Sequence, residues 1–407
     1  MANGLQRLIR SLKLVARYGL IVMNDGLICL PIKQRQVVFE SFNGKDVNDN
    51  PAAIYRELVA TAPEYRTTAY FSVKPREFAA LHKKYPQIQL VKRFTPRWVW
   101  LMARAEFWVL NSRLPNWWHQ NRRTTVIQTW HGTPLKKLGA DIEHVAIPGT
   151  TTAAYHQEFK TAASRWQYLI APNQYSQTIF KSAFGFHHQF LSVGYPRNDR
   201  LYTTLPAEIT DLKQQLLGST KGPVVTYAPT WRDDMAVRPG VYQFDLPFDL
   251  AEFFQHVPAN TQLIIRPHYL VKDAIDIHGF EERVHVLAET DITDLYLISD
   301  LLITDYSSVM FDFANLQRPQ LFFAYDLAHY RDQLRGFYFD YEQEIPGPLV
   351  TTASAFYAQL DRWRQDGGFH DYQARQAAFY EKFCSWENGT ASRQVVQVML
   401  HGKDEIK

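Results

Sequence analysis

The 407-residue chain is poor in the features that announce several classes of protein. Its only cysteines, Cys29 and Cys384, lie near opposite ends without metal-ligand spacing, which excludes a disulfide framework or cysteine-held metal and agrees with a reducing compartment. The sequon Asn388-Gly389-Thr390 is then incidental. Neither a GxGxxG fingerprint nor a P-loop occurs, so dinucleotide-redox and ATPase readings lose support. A formal charge of +3 is too small to argue for nucleic acid, yet suits an anionic ligand or a lipid surface. No apolar run is clean enough to span a bilayer, because Asn24 and Asp25 interrupt the stretch from Gly19 to Ile32, and no small-residue cleavage site marks a signal peptide.

With no low-complexity tract and 46% hydrophobic residues, the chain is expected to be globular, and its length favours two domains over one. Residues 1–32 open with Arg7, Arg10, Lys13 and Arg17 among leucines, a pattern for a basic amphipathic helix lying on the inner membrane face. A helix packed on the protein fits the same spacing. Strand-like runs then follow at Gln36–Glu40, Thr67–Val73, Gln87–Val91, Phe107–Asn111, Thr124–Thr129 and Tyr168–Pro172, with helix-like spacers between them. A polar region from Tyr202 to Gly222 precedes a second series at Val224–Tyr227, Gln262–Ile265, Val284–Leu287, Leu301–Thr304 and Gln320–Ala324. This alternation predicts an α/β protein with two doubly wound, Rossmann-like domains facing a cleft, at 33–205 and 206–407.

The unusual residues follow the predicted strands, where ligands of open α/β sheets gather. Thr125–Ile127 runs into QTWHGTPLKKLG (128–139), where His131 is a candidate base, Gly132 allows close approach, Pro134 can start a helix, and Lys136 and Lys137 attract an anion. A core histidine satisfied by a backbone group would explain His131 if it stood alone. Arg266-Pro267-His268 sets a cation and a second titratable donor after a strand, placed to hold phosphate oxygens and neutralise a leaving group. In LLITDYSSVMFDFA, Ser307 and Ser308 open a helix where amides and hydroxyls can hold phosphate, although plain capping by Asp305 or Ser307 needs no ligand. Asp312 is either a hydroxyl acceptor in the cleft or a surface carboxylate. Thr230, Trp231 and Arg232 can shape a nucleotide pocket, and Arg197 in GYPRND is available to an anion. Asp233 and Asp234 read as a solvated loop, so neither a protein-held metal nor a cofactor is expected.

Taken in order, NSRLPNWW, QTWHGTPLKKLG, GYPRND, YAPTWRDD, RPH and ITDYSSVMFDFA resemble the CDP-glycerol glycerophosphotransferase family, the teichoic acid primases and polymerases, over about Val37 to Val395. The resemblance implies a glycosyltransferase-B-like fold, association with the cytoplasmic face of the cell membrane, and transfer of glycerol phosphate from CDP-glycerol to a lipid-linked acceptor with release of CMP. It implies that His131 is the acceptor's base and that His268 acts at the diphosphate. Trp130, His131, Gly132, Thr133, Pro134, Arg197, Thr230, Trp231, Arg266, Pro267, His268, Ser307, Ser308 and Asp312 match the donor-binding segments. CDP-ribitol as donor, a capsular polymer as acceptor, and a non-catalytic nucleotide-binding membrane scaffold are the competing readings. A homo-oligomer and the number of units added stay open. The tryptophan-rich basic segment Lys92–Trp118 suits lipid headgroups or the acceptor, or simple core packing.

Overall fold

The computed structural model describes residues 2–145, 149–230, 236–238, 241–242, 246–267, 275–327 and 336–402. Two parallel sheets organise them. The first contains β1 (Lys33–Glu40), β2 (Ala69–Val73), β3 (Gln89–Lys92), β4 (Ala105–Leu110), β5 (Thr125–Gln128), β6 (Tyr168–Ala171) and β7 (Gln189–Ser192), in the order β3-β2-β1-β4-β5-β6-β7. After β8 (Val224–Tyr227) comes a hairpin of β9 (Ala236–Arg238) and β10 (Val241–Tyr242). The second sheet adds β11 (Gln262–Ile265), β12 (Val284–Val286), β13 (Leu301–Thr304), β14 (Gln320–Phe323) and β15 (Leu349–Val350), in the order β12-β11-β8-β13-β14-β15. Each expected strand-like run forms a strand, and β7, β15 and the hairpin strands β9 and β10 are added to them.

The apolar runs explain the parallel pairing. Val37, Val38 and Phe39 of β1 and Leu301, Leu302 and Ile303 of β13 have no solvent exposure, as central strands covered on both faces require. Between them, helices close with ordinary local chemistry. Asn173 accepts the Ser176 amide at the start of Gln174–Phe184, and Gly185 ends that helix at φ 60°. Each sheet reverses its winding between two central strands, β1 with β4 and β8 with β13, and the crevices open outside their carboxyl ends.

Two terminal elements cross this plan. The last helix, Ala391–His401, packs on the helix Asp49–Thr61, with Val395, Val396, Val398 and Met399 joining the core of the first sheet. At the other end, helix Ala2–Leu27 packs Leu20, Met23 and Leu27 on the first sheet's second core and leaves Leu14, Val15, Tyr18 and Val22 exposed. Asn24 donates to the His119 carbonyl at 2.8 Å, and Arg17 lies 5.0 Å from the Trp117 ring centre. Among the described residues no helix is long and apolar enough to cross a membrane.

Candidate active site

His131 enters the cleft from the loop after β5, held by its neighbours before any substrate is considered. Its Nδ1 lies 2.7 Å from the Asn111 carbonyl oxygen, which can only accept, so Nδ1 carries the proton and Nε2 keeps its lone pair. The Trp130 ring stacks on the imidazole at 4.4 Å, and Phe42 meets its edge at 5.7 Å. Burial holds the His131 pKa below its ordinary value of 6.5; the Asn111 hydrogen bond and the Asp49 charge oppose this, and the Arg197 charge adds to it. The ring is therefore neutral near pH 7 and able to accept a proton.

Backbone strain collects around this ring. Phe42 (φ 46°), Asp49 (φ 59°) and Trp130 (φ 52°) all occupy the left-handed region, each at a cost of about 1–3 kcal/mol. Hydrogen bonds offset it: Phe42 N donates to Asn111 Oδ1 at 2.7 Å, Trp130 N to Gln128 Oε1 at 2.9 Å, and Asn50 Nδ2 to the Trp130 carbonyl at 3.2 Å. Phe42 follows β1 and Asn111 follows β4, so the base rests on the first sheet's winding reversal.

The rest of the HGTPLKK segment is tied across to the second half. A methyl added at Gly132 would stand 3.4 Å from Ser308 Oγ, so the two strand-end loops nearly touch there. Tyr338 N donates to the Leu135 carbonyl at 3.0 Å and Lys137 N to Gly336 at 2.9 Å, an antiparallel bridge between the halves. Thr133 and Pro134 are buried, and the Pro134 carbonyl accepts the Tyr175 hydroxyl at 2.8 Å. Lys137, expected to attract an anion, pairs with Glu143 at 2.8 Å on the surface.

On the second sheet, the winding reversal joins two predicted motifs. Thr230 N, after β8, donates to Asp305 Oδ1, after β13, at 2.8 Å; Asp305 is 1% exposed. Asp305 thus braces the turn, while Ser308 is exposed and makes no side-chain cap. Arg266 donates from one terminal nitrogen to the Leu287 carbonyl at 2.8 Å and also to that of Ala288, fixing the loop after β12. Pro267 beside it is buried. Trp231, Arg232, Asp233, Asp234 and His268 lie outside the described residues.

Arg197 and Asp312, both expected to face the donor, meet each other at 2.8 Å. Arg197 also contacts Asp49 at 2.6 Å and donates to the His131 carbonyl at 3.0 Å, while Asn198 joins Asp312 to Glu387 at 3.1 Å on each side. Burial pushes the Glu387 carboxyl up to about 8, against the hydrogen bonds from Tyr195 N and Asn198. Asp49 and Glu387 carried no sequence motif. Asn111 did carry a signal, since it ends a predicted strand and is the first residue of NSRLPNWW.

Two cavities meet at His131 and Ser308. One of about 600 Å³ runs from Phe42, Asp49 and Arg197 to Arg266, Asp291 and Asp312. The other, about 390 Å³, is lined by residues 130–138 with Thr230, Tyr306 and Ser307. Among the described residues, no group of three or more histidines, cysteines or carboxylates could hold a metal ion.

Residues 22–401 match the family described as CDP-Glycerol:Poly(glycerophosphate) glycerophosphotransferase. The teichoic acid poly(glycerol phosphate) polymerase of Bacillus subtilis (strain 168) is 46% identical over 91% of this chain and 49% of its own length. The teichoic acid glycerol-phosphate transferase of Staphylococcus aureus (strain NCTC 8325 / PS 47) is 43% identical over 89% of this chain and 92% of its own. The chain thus spans about half of the first relative and nearly all of the second. A solved structure of the wall teichoic acid polymerase TagF superposes with a TM-score of 0.85 at 36% identity, covering 98% of this chain and 97% of that one.

Proposed function

The chain belongs to the CDP-glycerol:poly(glycerophosphate) glycerophosphotransferase family, and on that premise we propose that it transfers glycerol phosphate from CDP-glycerol to a lipid-linked teichoic acid intermediate and releases CMP. The observation that carries this reading is His131, neutral, with Nδ1–H given to the Asn111 carbonyl and Nε2 free to act at the junction of two cavities.

In the proposed step, Nε2 of His131 takes the proton of an acceptor hydroxyl as its oxygen attacks the phosphorus bearing glycerol. The bond from that phosphorus to the oxygen it shares with CMP breaks in line, and CMP leaves with the electron pair. Positioning and charge neutralisation supply most of the acceleration in phosphoryl transfer. Trp130 to Pro134 form the first-sheet wall, and Thr230, Arg266, Pro267, Ser307 and Ser308 the donor wall. Trp231 and His268 match the family's donor-binding segments by sequence, and His268 is assigned the charge that grows on the leaving phosphate.

We further propose a peripheral position on the cytoplasmic membrane face. Leu14, Val15, Tyr18 and Val22 form an exposed apolar stripe on a helix whose first half carries Arg7, Arg10 and Lys13. The division into 33–205 and 206–407 is likewise our reading, with Ala391–His401 returned to the first unit because it packs there.

The test is CMP release from CDP-glycerol in the presence of a lipid-linked disaccharide-phosphoglycerol acceptor. His131→Ala should lower turnover by about 10²–10⁴-fold, the usual contribution of a general base. Undiminished turnover would remove His131 from the mechanism, and faster release from CDP-ribitol would change the donor.

A further inference from the structure

We propose that Arg197 is a positioning residue for His131 rather than a ligand of the donor phosphates: its guanidinium clamps the two sheets together at the base of the cleft and pins the main chain of the catalytic histidine. The kinetic part of this proposal rests on the transfer described above; the structural part does not.

The guanidinium is already engaged by three acceptors. One terminal nitrogen donates to Asp49 Oδ1 at 2.6 Å and to the His131 carbonyl at 3.0 Å, and the other to Asp312 Oδ2 at 2.8 Å. The side chains of Arg197, Asp49 and Asp312 are 11%, 5% and 8% exposed. Three of its five N–H donors are spent on these acceptors and the Nε–H is buried without a partner, so a phosphate drawn to Arg197 competes with carboxylates already paired to it, and displacing one would leave it buried without its counter-charge, a loss of the costliest kind. Occupied in this way, the planar fork fixes direction as well as distance, which a lysine ammonium would not.

Each partner comes from a different part of the site. Asp49 begins the helix after β1, and its other oxygen accepts the side-chain amide of Asn111, the residue whose main-chain carbonyl orients the His131 ring. Asp312 lies four residues beyond Ser308, in the helix Val309–Phe313 that follows β13 of the second sheet. Arg197 itself follows β7, anchored by its amide to Asn50 at 3.1 Å. The clamp therefore spans from the proposed donor wall to both the main chain and the ring support of the base. A shift of Asp312 with its helix is transmitted to His131 through rigid, buried contacts, and misplacement by about 1 Å can cost on the order of 10²-fold in rate.

The charges also give a readout that needs no substrate. Arg197 lowers the His131 pKa and Asp49 raises it. In the full chain, nuclear magnetic resonance titration of the His131 ring should show its pKa rising in Arg197→Met and falling in Asp49→Asn. Loss of packing alone would not produce opposite signs. In turnover assays, Arg197→Met and Asp312→Asn should each lower kcat by about 10–100-fold, and by a similar factor when combined, because they break one contact. Calorimetric CDP-glycerol affinity should change less than about threefold, and Arg197→Lys should recover only part of kcat.

A tenfold or greater loss of donor affinity in Arg197→Lys would overturn the proposal in favour of direct phosphate binding. So would a His131 pKa that moves in the same direction, or not at all, in the two variants. If Arg197→Met does not fold by thermal melt, the neutral Arg197→Gln and Asp49→Asn provide the same titration. Wild-type protein that releases no CMP would sink the transfer reading, yet leave the histidine titration to decide the clamp.

Discussion

The Nδ1 of His131 stands 2.7 Å from the main-chain oxygen of Asn111, a residue of another strand end, and this one hydrogen bond decides which nitrogen of the ring can do chemistry. Burial also favours the neutral ring, so protonation needs a pH below the ordinary 6.5. A base with a depressed pKa works above that pKa and fails below it. The acid limb of kcat/KM, which reports the free enzyme, is therefore expected below pH 6.5. A pH–rate profile whose acid limb lies at or above 6.5 would contradict the assignment.

The Asn111 side chain supports the same ring from behind. It accepts the Phe42 amide at 2.7 Å and donates to Asp49. Asn111→Ala should cost about 1–3 kcal/mol, since it leaves a buried amide and a carboxylate short of a partner. Urea unfolding measures that loss, and CMP release should fall further than stability because the strained Phe42 turn relaxes toward the imidazole. A variant with unchanged stability and turnover would show that the ring needs only the Asn111 main chain.

Glu387 should make the fold sensitive to alkali. Its carboxyl titrates at about 8 when folded, against an ordinary 4.5, so between those values the folded chain keeps a proton that the unfolded chain releases. This contribution is fully present below about pH 4.5 and is lost as pH rises through about 8. Glu387→Gln, a neutral isostere, should flatten the decline in Tm across that window and melt above the wild type at pH 9. Parallel Tm-versus-pH curves for the two proteins would refute the shift.

Gly194 turns the chain beside that carboxyl at φ 86°, where an added methyl would lie 2.6 Å from Glu387 Oε2. Gly194→Ala meets both a disfavoured conformation and a clash with a side chain held at its other oxygen. A destabilisation of about 2–4 kcal/mol is expected by denaturant titration, within the range for strained backbone positions. Less than about 0.5 kcal/mol would mean that the loop relaxes freely.

The exposed stripe of the N-terminal helix has its own test. Replacing Val15 and Val22 with aspartate leaves the packed face, with Leu20, Met23 and Leu27, untouched. Sedimentation with anionic liposomes should fall severalfold while the melting temperature holds, and equal sedimentation would count against membrane docking by this face.

Much of the site was legible because strand ends and reactive side chains are local features. The runs before His131 and Asp305 are apolar enough to become central strands, and the turns after them contain the glycine, proline and serines that strand-end loops use. The partners were not legible. Arg197 reads as a free cation in GYPRND, and Asp312 as a surface carboxylate, because a sequence shows no distance between positions 115 residues apart. Likewise, nothing in the spacing of Ala391–His401 tells which sheet its valines will cover.

By itself the sequence determined the alternation that builds two parallel sheets, and the order of motifs that marks the family, since both depend on neighbours along the chain. Only the tertiary structure decided how those motifs act on one another. It closed Gly132 against Ser308, turned the His131 ring by the carbonyl of Asn111, and satisfied Arg197 with Asp49 and Asp312. The physical reason is burial: a charge taken out of water must find its counter-charge wherever the fold puts one, and that place is set by the packing of both sheets rather than by adjacent residues.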